Sequence, residues 1–400
     1  MPGELRIFFL YYFFIYMNTA VYGTFAPVYF EHIGFSHTQV GMLLSAGPLV
    51  AILAQPLWGT VTDRSKTKNR VLLLLLASCA LCMAAFPLSV HFFYVLLLIC
   101  LFMFFQTPAF AIGDAMTLET LDKRGFDSGT FSYIRMAGTI GFALMSVVFG
   151  WIARGHIEWM FPVNAAIFVI SCLLLLRMPP VEGHQRHGRK MHMGMLFRHR
   201  KLMLYMSVCF VLQVTLGFYY AFYPIYAQEL GADNAWIGWS MLISSLSEVP
   251  FLLLSGFVFR KVPIPYILLG AGAIAALRWY LYSVIENPLW IFPIQLLHGL
   301  IFIVLSVTMA IFINREVPNE LKASGQTLHA LLCMGIARII GSFLGGVAAD
   351  AFGLKQVFFY NSLVAVACVA VFAVIFRLYA RTGADSSKGK GHPAEPGQTR

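Results

Sequence analysis

Runs of about twenty apolar residues recur from one end of this 400-residue chain to the other. Each is long enough to cross ~30 Å of hydrocarbon as a helix rising ~1.5 Å per residue. Twelve spans can be drawn, at about 6–30, 38–62, 70–90, 92–116, 129–153, 157–178, 202–228, 235–259, 264–285, 288–313, 323–349 and 354–379. In hydrocarbon each backbone donor and acceptor has to find its partner within its own segment, so the spans predict an all-α membrane protein of twelve transmembrane helices. Composition excludes the ordinary soluble enzyme: 59% of residues are hydrophobic and 12% charged, against about a quarter charged in soluble proteins. The first span follows a single Arg6 and lacks a small-residue cleavage site, which predicts a retained helix rather than a signal peptide.

The chain carries a formal charge of +10, and the position of its cations decides what that means. With both termini placed in the cytoplasm, 23 of the 28 Lys and Arg fall in inner loops and termini, only Arg154 and Lys355 fall outside, and Arg135, Arg278 and Arg338 lie within spans. This is the positive-inside pattern of a multi-pass cell-membrane protein. The basic excess therefore calls for no nucleic acid. All seven cysteines sit in apolar spans, and their odd number argues against a disulfide framework. The Cys79-x-x-Cys82 pair lacks the polar setting that a redox thiolate needs, so it reads as packing.

The longest polar interruption, 179–201, separates two bundles of six spans, 1–178 and 202–380, with 381–400 reading as a disordered cytoplasmic tail. Self-comparison supports a duplication: Gln39-Val40-Gly41 and Trp236-Ile237-Gly238, Gly59 and Gly256, and Asn164 and Asn361 all share a 197-residue offset. The interruption contains His184, His187, His192 and His199 in no zinc-binding spacing, and is expected to be a solvated linker.

After the second span comes Gly59-Thr60-Val61-Thr62-Asp63-Arg64, with Lys66, Lys68 and Arg70 beyond it. This Gly-x-x-x-Asp-Arg loop with trailing cations resembles the signature of the major facilitator superfamily, in which the resemblance implies a conformational gate built on Gly59, Asp63 and Arg64. The second copy has Phe259 where the acid would stand.

Six ionisable residues stand out clearly inside spans, where their cost makes them functional candidates: Asp114, Arg135, Glu248, Arg278, His298 and Arg338. They come from both halves, as a solute site between halves would require. Ile112-Gly113-Asp114-Ala115, Arg135-Met136-Ala137-Gly138-Thr139-Ile140-Gly141, Ser247-Glu248, Arg278 and Leu297-His298 together resemble the proton-coupled oligosaccharide symporters typified by lactose permease, and the related branch of permeases for phenylpropionate-like acids and nucleosides. The resemblance implies solute binding by Asp114, Arg135, Phe142, Arg278 and His298, with Glu248 and His298 linking it to protonation. Phe142 stands where the sugar permease stacks a Trp, Ile301 where it has a proton-carrying Glu, and Gln295 where it has a Lys. Arg338 is an additional cation that would suit an anionic solute, or would pair with an acidic neighbour. Tyr11, Tyr12, Asn18, Tyr22, Tyr219, Tyr220, Tyr223 and Gln326 are further polar residues able to line a cavity.

No nucleophile with a base, metal spacing or phosphate-binding loop is found, so neither enzymatic activity, cofactor nor metal is expected. The expectation is a monomeric, proton-coupled secondary transporter of a small polar or anionic organic solute (sugar, nucleoside or aromatic acid) working by alternating access in the bilayer. The alternative is drug or metabolite efflux by proton antiport.

Overall fold

The computed structural model describes residues 3–126, 128–182, 196–197, 199–318 and 321–388. The first half comprises α1 (Gly3–His32), α2 (His37–Arg64), α3 (Lys68–Ala85), α4 (Phe92–Lys123), α5 (Ser128–Ile152) and α6 (Met160–Leu175). The second comprises α7 (Arg200–Glu229), α8 (Asn234–Leu246), α9 (Glu248–Lys261), α10 (Ile264–Val284), α11 (Ile291–Gln295), α12 (Phe302–Glu316), α13 (Lys322–His329), α14 (Ala337–Phe352) and α15 (Leu354–Lys388). Among the described residues every regular element is helical.

Among the described residues eleven stretches are long and apolar enough to cross a membrane. The remaining crossing, expected at 288–313, is broken: α11 stops at Gln295 and α12 starts only at Phe302. Between them the chain tightens into three-residue turns, with His298 N–H donating to the Gln295 carbonyl at 3.0 Å and Ile301 N–H to the His298 carbonyl at 3.0 Å. Pro293 removes a helical donor inside α11. Gly299 lies in the break because a Cβ there would fall on the backbone of Ser247 and Glu248, while its amide donates to Ser247 Oγ at 2.9 Å. Ser247 is itself the junction of α8 and α9, so two interrupted crossings meet at their interruptions.

The duplication is visible in how the helices start and cross. Ser36 caps α2 through a reciprocal box with Gln39, and Asp233, at the 197-residue offset, caps α8 by accepting from the Trp236 amide at 2.9 Å. Gly41 of α2 then lies against the Ser342 carbonyl of α14, as Gly238 of α8 lies against the Ser146 carbonyl of α5. Further along the same crossings, Gly346 meets the backbone of His37 and Gly150 that of Asn234. Each crossing joins one half to the other through glycines that let backbones touch.

All four contacts lie toward the bundle face opposite the linker, here the distal face. Two polar clasps reinforce them there. Arg154 at the end of α5 pairs with Asp233 at 2.6 Å, and Asn234 Nδ2 donates to the Ala153 carbonyl at 2.6 Å. At the equivalent place Asp350 of α14 accepts from the amides of His37 and Thr38 at 2.9 and 2.8 Å.

On the linker face, Lys68 N–H donates to the Val181 carbonyl at 2.8 Å and Asn69 Oδ1 accepts from Val181 N–H at 2.9 Å, which fastens the chain beneath α3 as it leaves the first half. His199 caps α7, whereas His184, His187 and His192 lie outside the described residues. Helix α15 continues to Lys388, into the segment where the sequence marks a tail, and 389–400 lie outside the described residues. The seven cysteines are free.

Candidate functional site

Between the halves, about midway along the crossings, lies a cavity of about 410 Å³. Tyr16, Thr19, Thr139 and Phe142 face it from the first half, and Tyr220, Ser244, Glu248, His298, Phe302 and Arg338 from the second. The wall is aromatic and hydroxyl-rich, with ionisable groups confined to the second half.

Those groups form a directional chain. Arg278 is fully buried on α10, its guanidinium 4.2 Å from the centre of the Tyr219 ring. It donates through Nη2 to Gln295 Oε1 at 2.6 Å, an oxygen that also accepts from the Tyr219 hydroxyl at 2.9 Å. Its Nη1 is 3.0 Å from His298 Nδ1. A guanidinium has donors and no acceptor, so Nδ1 accepts and the ring proton of a neutral His298 sits on Nε2. That nitrogen is 3.0 Å from the Tyr220 hydroxyl and 3.8 Å from Glu248 Oε1. With Tyr220 accepting from His298, its own O–H points onward into the cavity. The broken tenth crossing supplies this arrangement: the turn that frees the backbone at 296–301 carries His298 to the cavity, and the Gly299–Ser247 contact fixes it beside Glu248.

Arg338 lines the cavity from the eleventh crossing, its guanidinium 4.7 Å from the Tyr220 ring centre and 5.9 Å from that of Phe302. Among the described residues it has no acidic partner, and its Nε has no hydrogen bond. The alternative of an acidic neighbour is therefore not what the structure holds; aromatic faces support the cation instead.

Asp114 and Arg135 meet, but beside the cavity rather than on its wall. Arg135 Nη1 reaches Asp114 Oδ2 at 3.0 Å and Oδ1 at 3.2 Å, while the Tyr12 hydroxyl donates to Oδ1 at 2.5 Å. Tyr16, which does line the cavity, lies beneath the Arg135 guanidinium at 5.8 Å. Both charged side chains are partly exposed. Arg135→Lys is expected to lower solute affinity by about tenfold, because an ammonium lacks the planar face that Arg135 lays over the Tyr16 ring while it holds the Asp114 carboxylate; titration of solute into the purified variant would measure it, and wild-type affinity would remove Arg135 from the site.

Of the remaining candidates, Phe142, Tyr219, Tyr220 and Tyr223 reach the cavity, whereas Arg278 stands behind it and touches its wall through His298 and Tyr219. Tyr11, Asn18 and Tyr22 are buried in the first half, and Gln326 donates to the Ala310 carbonyl. Ile301 is buried and cannot titrate. Gly59, Asp63 and Arg64 end α2 on the linker face, and Asp63 makes no ion pair among the described residues. Thr19, Thr139 and Ser244 were not singled out in the sequence, since one hydroxyl in an apolar helix gives no signal of which way it faces.

The model of the MFS_1 like family matches residues 5–360. Maltose permease of Geobacillus stearothermophilus is 24% identical over 375 residues, covering 92% of this chain and 94% of the relative. The putative nucleoside transporter YegT of Escherichia coli (strain K12) is 26% identical over 382 residues, covering 87% of each. Among solved structures, the nucleoside transporter NupG (D323A mutant) superposes with a TM-score of 0.86 at 18% identity, covering 94% of this chain and 100% of that one. The duplicated helical halves, the cavity between them and this match over nearly the whole chain agree: the protein belongs to the MFS_1 like family of the major facilitator superfamily.

Proposed function

We propose that this protein is a proton-coupled symporter, a monomer in the cell membrane, that takes up a small solute of nucleoside type by alternating access. The observation that carries the reading is a cavity between the halves whose wall combines flat aromatic rings, hydroxyls, a carboxyl beside an imidazole, and a guanidinium that rests on aromatic faces. Rings can stack a planar heterocycle, hydroxyls can meet a ribose, and Arg338 offers donors to a carbonyl-rich or anionic edge. Glu248 is the proton carrier in this reading, with His298 as its partner and Asp114 and Arg135 orienting the solute from the opposite half. The permeases and nucleoside transporters among the relatives favour uptake over efflux.

The test is uptake into proteoliposomes of labelled uridine, xanthosine, maltose and phenylpropionate under an imposed pH gradient, acid on the side of entry. Concentrative uptake of a nucleoside, abolished by a protonophore, is expected; concentrative uptake of maltose alone would reject the solute class.

The distal face is closed by backbone contact, while Arg135 and Asp114, in the linker-side halves of α5 and α4, remain partly exposed. With both termini and the linker assigned to the cytoplasm, this is the inward-open form, and the Asp63 gate would be released in it, in keeping with its lack of an ion pair. Asp63→Asn should slow turnover several-fold yet leave solute affinity within a few-fold, since a gate biases conformations without touching solute. A large loss of affinity at normal turnover would place Asp63 in the site. A reporter fused at residue 190 should read as cytoplasmic, and an external reading would invert the assignment.

A further inference from the structure

The two distal clasps occupy equivalent positions in the duplicated halves but differ in charge. At one, Arg154 neutralises Asp233. At the other, the basic side chain paired with the carboxylates among the described residues is His37, surrounded by Asp350 from α14, Glu31 from the end of α1 and Glu229 from the end of α7. None of these three carboxylates pairs with a Lys or Arg among the described residues.

We propose that Glu31, His37 and Glu229 form a binding site for a zinc-class divalent cation that holds the distal face shut. One ligand atom from each lies within 4.8 Å of the others. Ligands at about 2.0–2.1 Å from one zinc ion stand at most ~4 Å apart, so closing the site needs only small side-chain rotations of two carboxylates on helix ends. The imidazole is already set for the task. His37 Nδ1 lies 3.1 Å from Asp350 Oδ1, an oxygen that also accepts from the His37 amide. Carboxylate contact at Nδ1 holds a proton there, so Nε2, which faces the Glu31 carboxylate 3.8 Å away, is the nitrogen that an ion would take. This is the carboxylate–histidine arrangement that orients zinc ligands. An imidazole with two carboxylates suits zinc and its neighbours better than calcium or magnesium, which prefer all-oxygen shells. Glu229 is exposed, which leaves an entry path.

The ligands come from both halves: Glu31 and His37 from the first, Glu229 with the supporting Asp350 from the second. Parting the halves at the distal face would separate them, so an ion held by all three binds the distally closed form and shifts the population toward it.

The test is isothermal titration of Zn²⁺ into the full-length protein in detergent, with His184, His187 and His192 replaced by Ala so that linker imidazoles do not compete. One ion per chain is expected, with affinity lowered about tenfold or more by His37→Gln and by Glu229→Gln, and by about tenfold in the supporting variant Asp350→Asn. The melting temperature without metal establishes that each variant is folded. Hydrogen exchange supplies the conformational readout: zinc should slow exchange of the amides at 36–42 and 340–350, and EDTA should reverse the effect. Absence of saturable binding, or binding and exchange protection unchanged in folded His37→Gln and Glu229→Gln, would overturn the proposal and leave His37 as a proton-charged clasp alone. Neither measurement uses transport, so failure here leaves the symport reading standing, and failure of symport leaves this site standing.

Discussion

Glu248→Gln is expected to lower solute accumulation driven by a pH gradient by about tenfold or more, while exchange of solute down its own gradient persists. The expectation follows from what surrounds this carboxyl. Whether it holds a proton depends on its solvation and on the charge of its neighbours, and both change as the halves rock. Glu248 sits on the cavity wall, 3.8 Å from His298 Nε2, and His298 is in turn held by Arg278. In the proposed symporter, solute entering beside Arg338 and Tyr220 would alter the field at Glu248 directly. Gln keeps the shape and hydrogen-bonding capacity but cannot carry a proton, so binding and rocking survive and coupling does not. Wild-type accumulation by the variant would move the proton to another group, of which Asp114, beside the cavity, is the next candidate; its pairing with Arg135 and Tyr12 makes it the weaker one.

Gly238→Val is expected to stop turnover almost completely while leaving the solute site intact. A Cβ on Gly238 would fall on the Ser146 carbonyl across the seam between halves. Forcing bulk into such a contact costs about 1–3 kcal/mol, and ~1.4 kcal/mol is a tenfold shift in an equilibrium. Because the clash exists only when the distal face is closed, that cost falls on one conformation. The variant should therefore rest open at the distal face, with transport down at least about tenfold and solute affinity within a few-fold of wild type. Gly270→Ala, where the added carbon meets open space, is the control and should transport normally. Normal transport by Gly238→Val would show that the α5–α8 crossing does not separate and reassemble during the cycle.

The helices and their duplication were legible because the physics that makes them is local. Twenty apolar residues can only be helical in hydrocarbon, and Gly41 and Gly238 stand in register since both let one half touch the other. The ionisable residues stood out for the same reason, their cost in an apolar segment. What the sequence hid depends on three-dimensional neighbours. A hydropathy window cannot see that 288–313 is broken, as the break keeps its apolar composition and shows only as Pro293 and Gly299, each common in membrane helices. Arg278 and Arg338 look alike in sequence, yet packing puts the first behind His298 and the second on the cavity wall. The group of Glu31, His37 and Glu229 was invisible, since its members sit at the ends of spans where charge is ordinary and come from three helices, α1, α2 and α7, the last nearly half the chain away from the first two.

Symport requires proton and solute to move together in one direction. In lightly buffered proteoliposomes with no imposed gradient, adding a nucleoside to the outside should alkalinise the external medium as each entering solute draws a proton with it. The signal should vanish with a protonophore and be absent in Glu248→Gln, although labelled nucleoside still exchanges in that variant. Nucleoside entry by the wild-type protein with no pH change, or with external acidification, would contradict symport through this cavity.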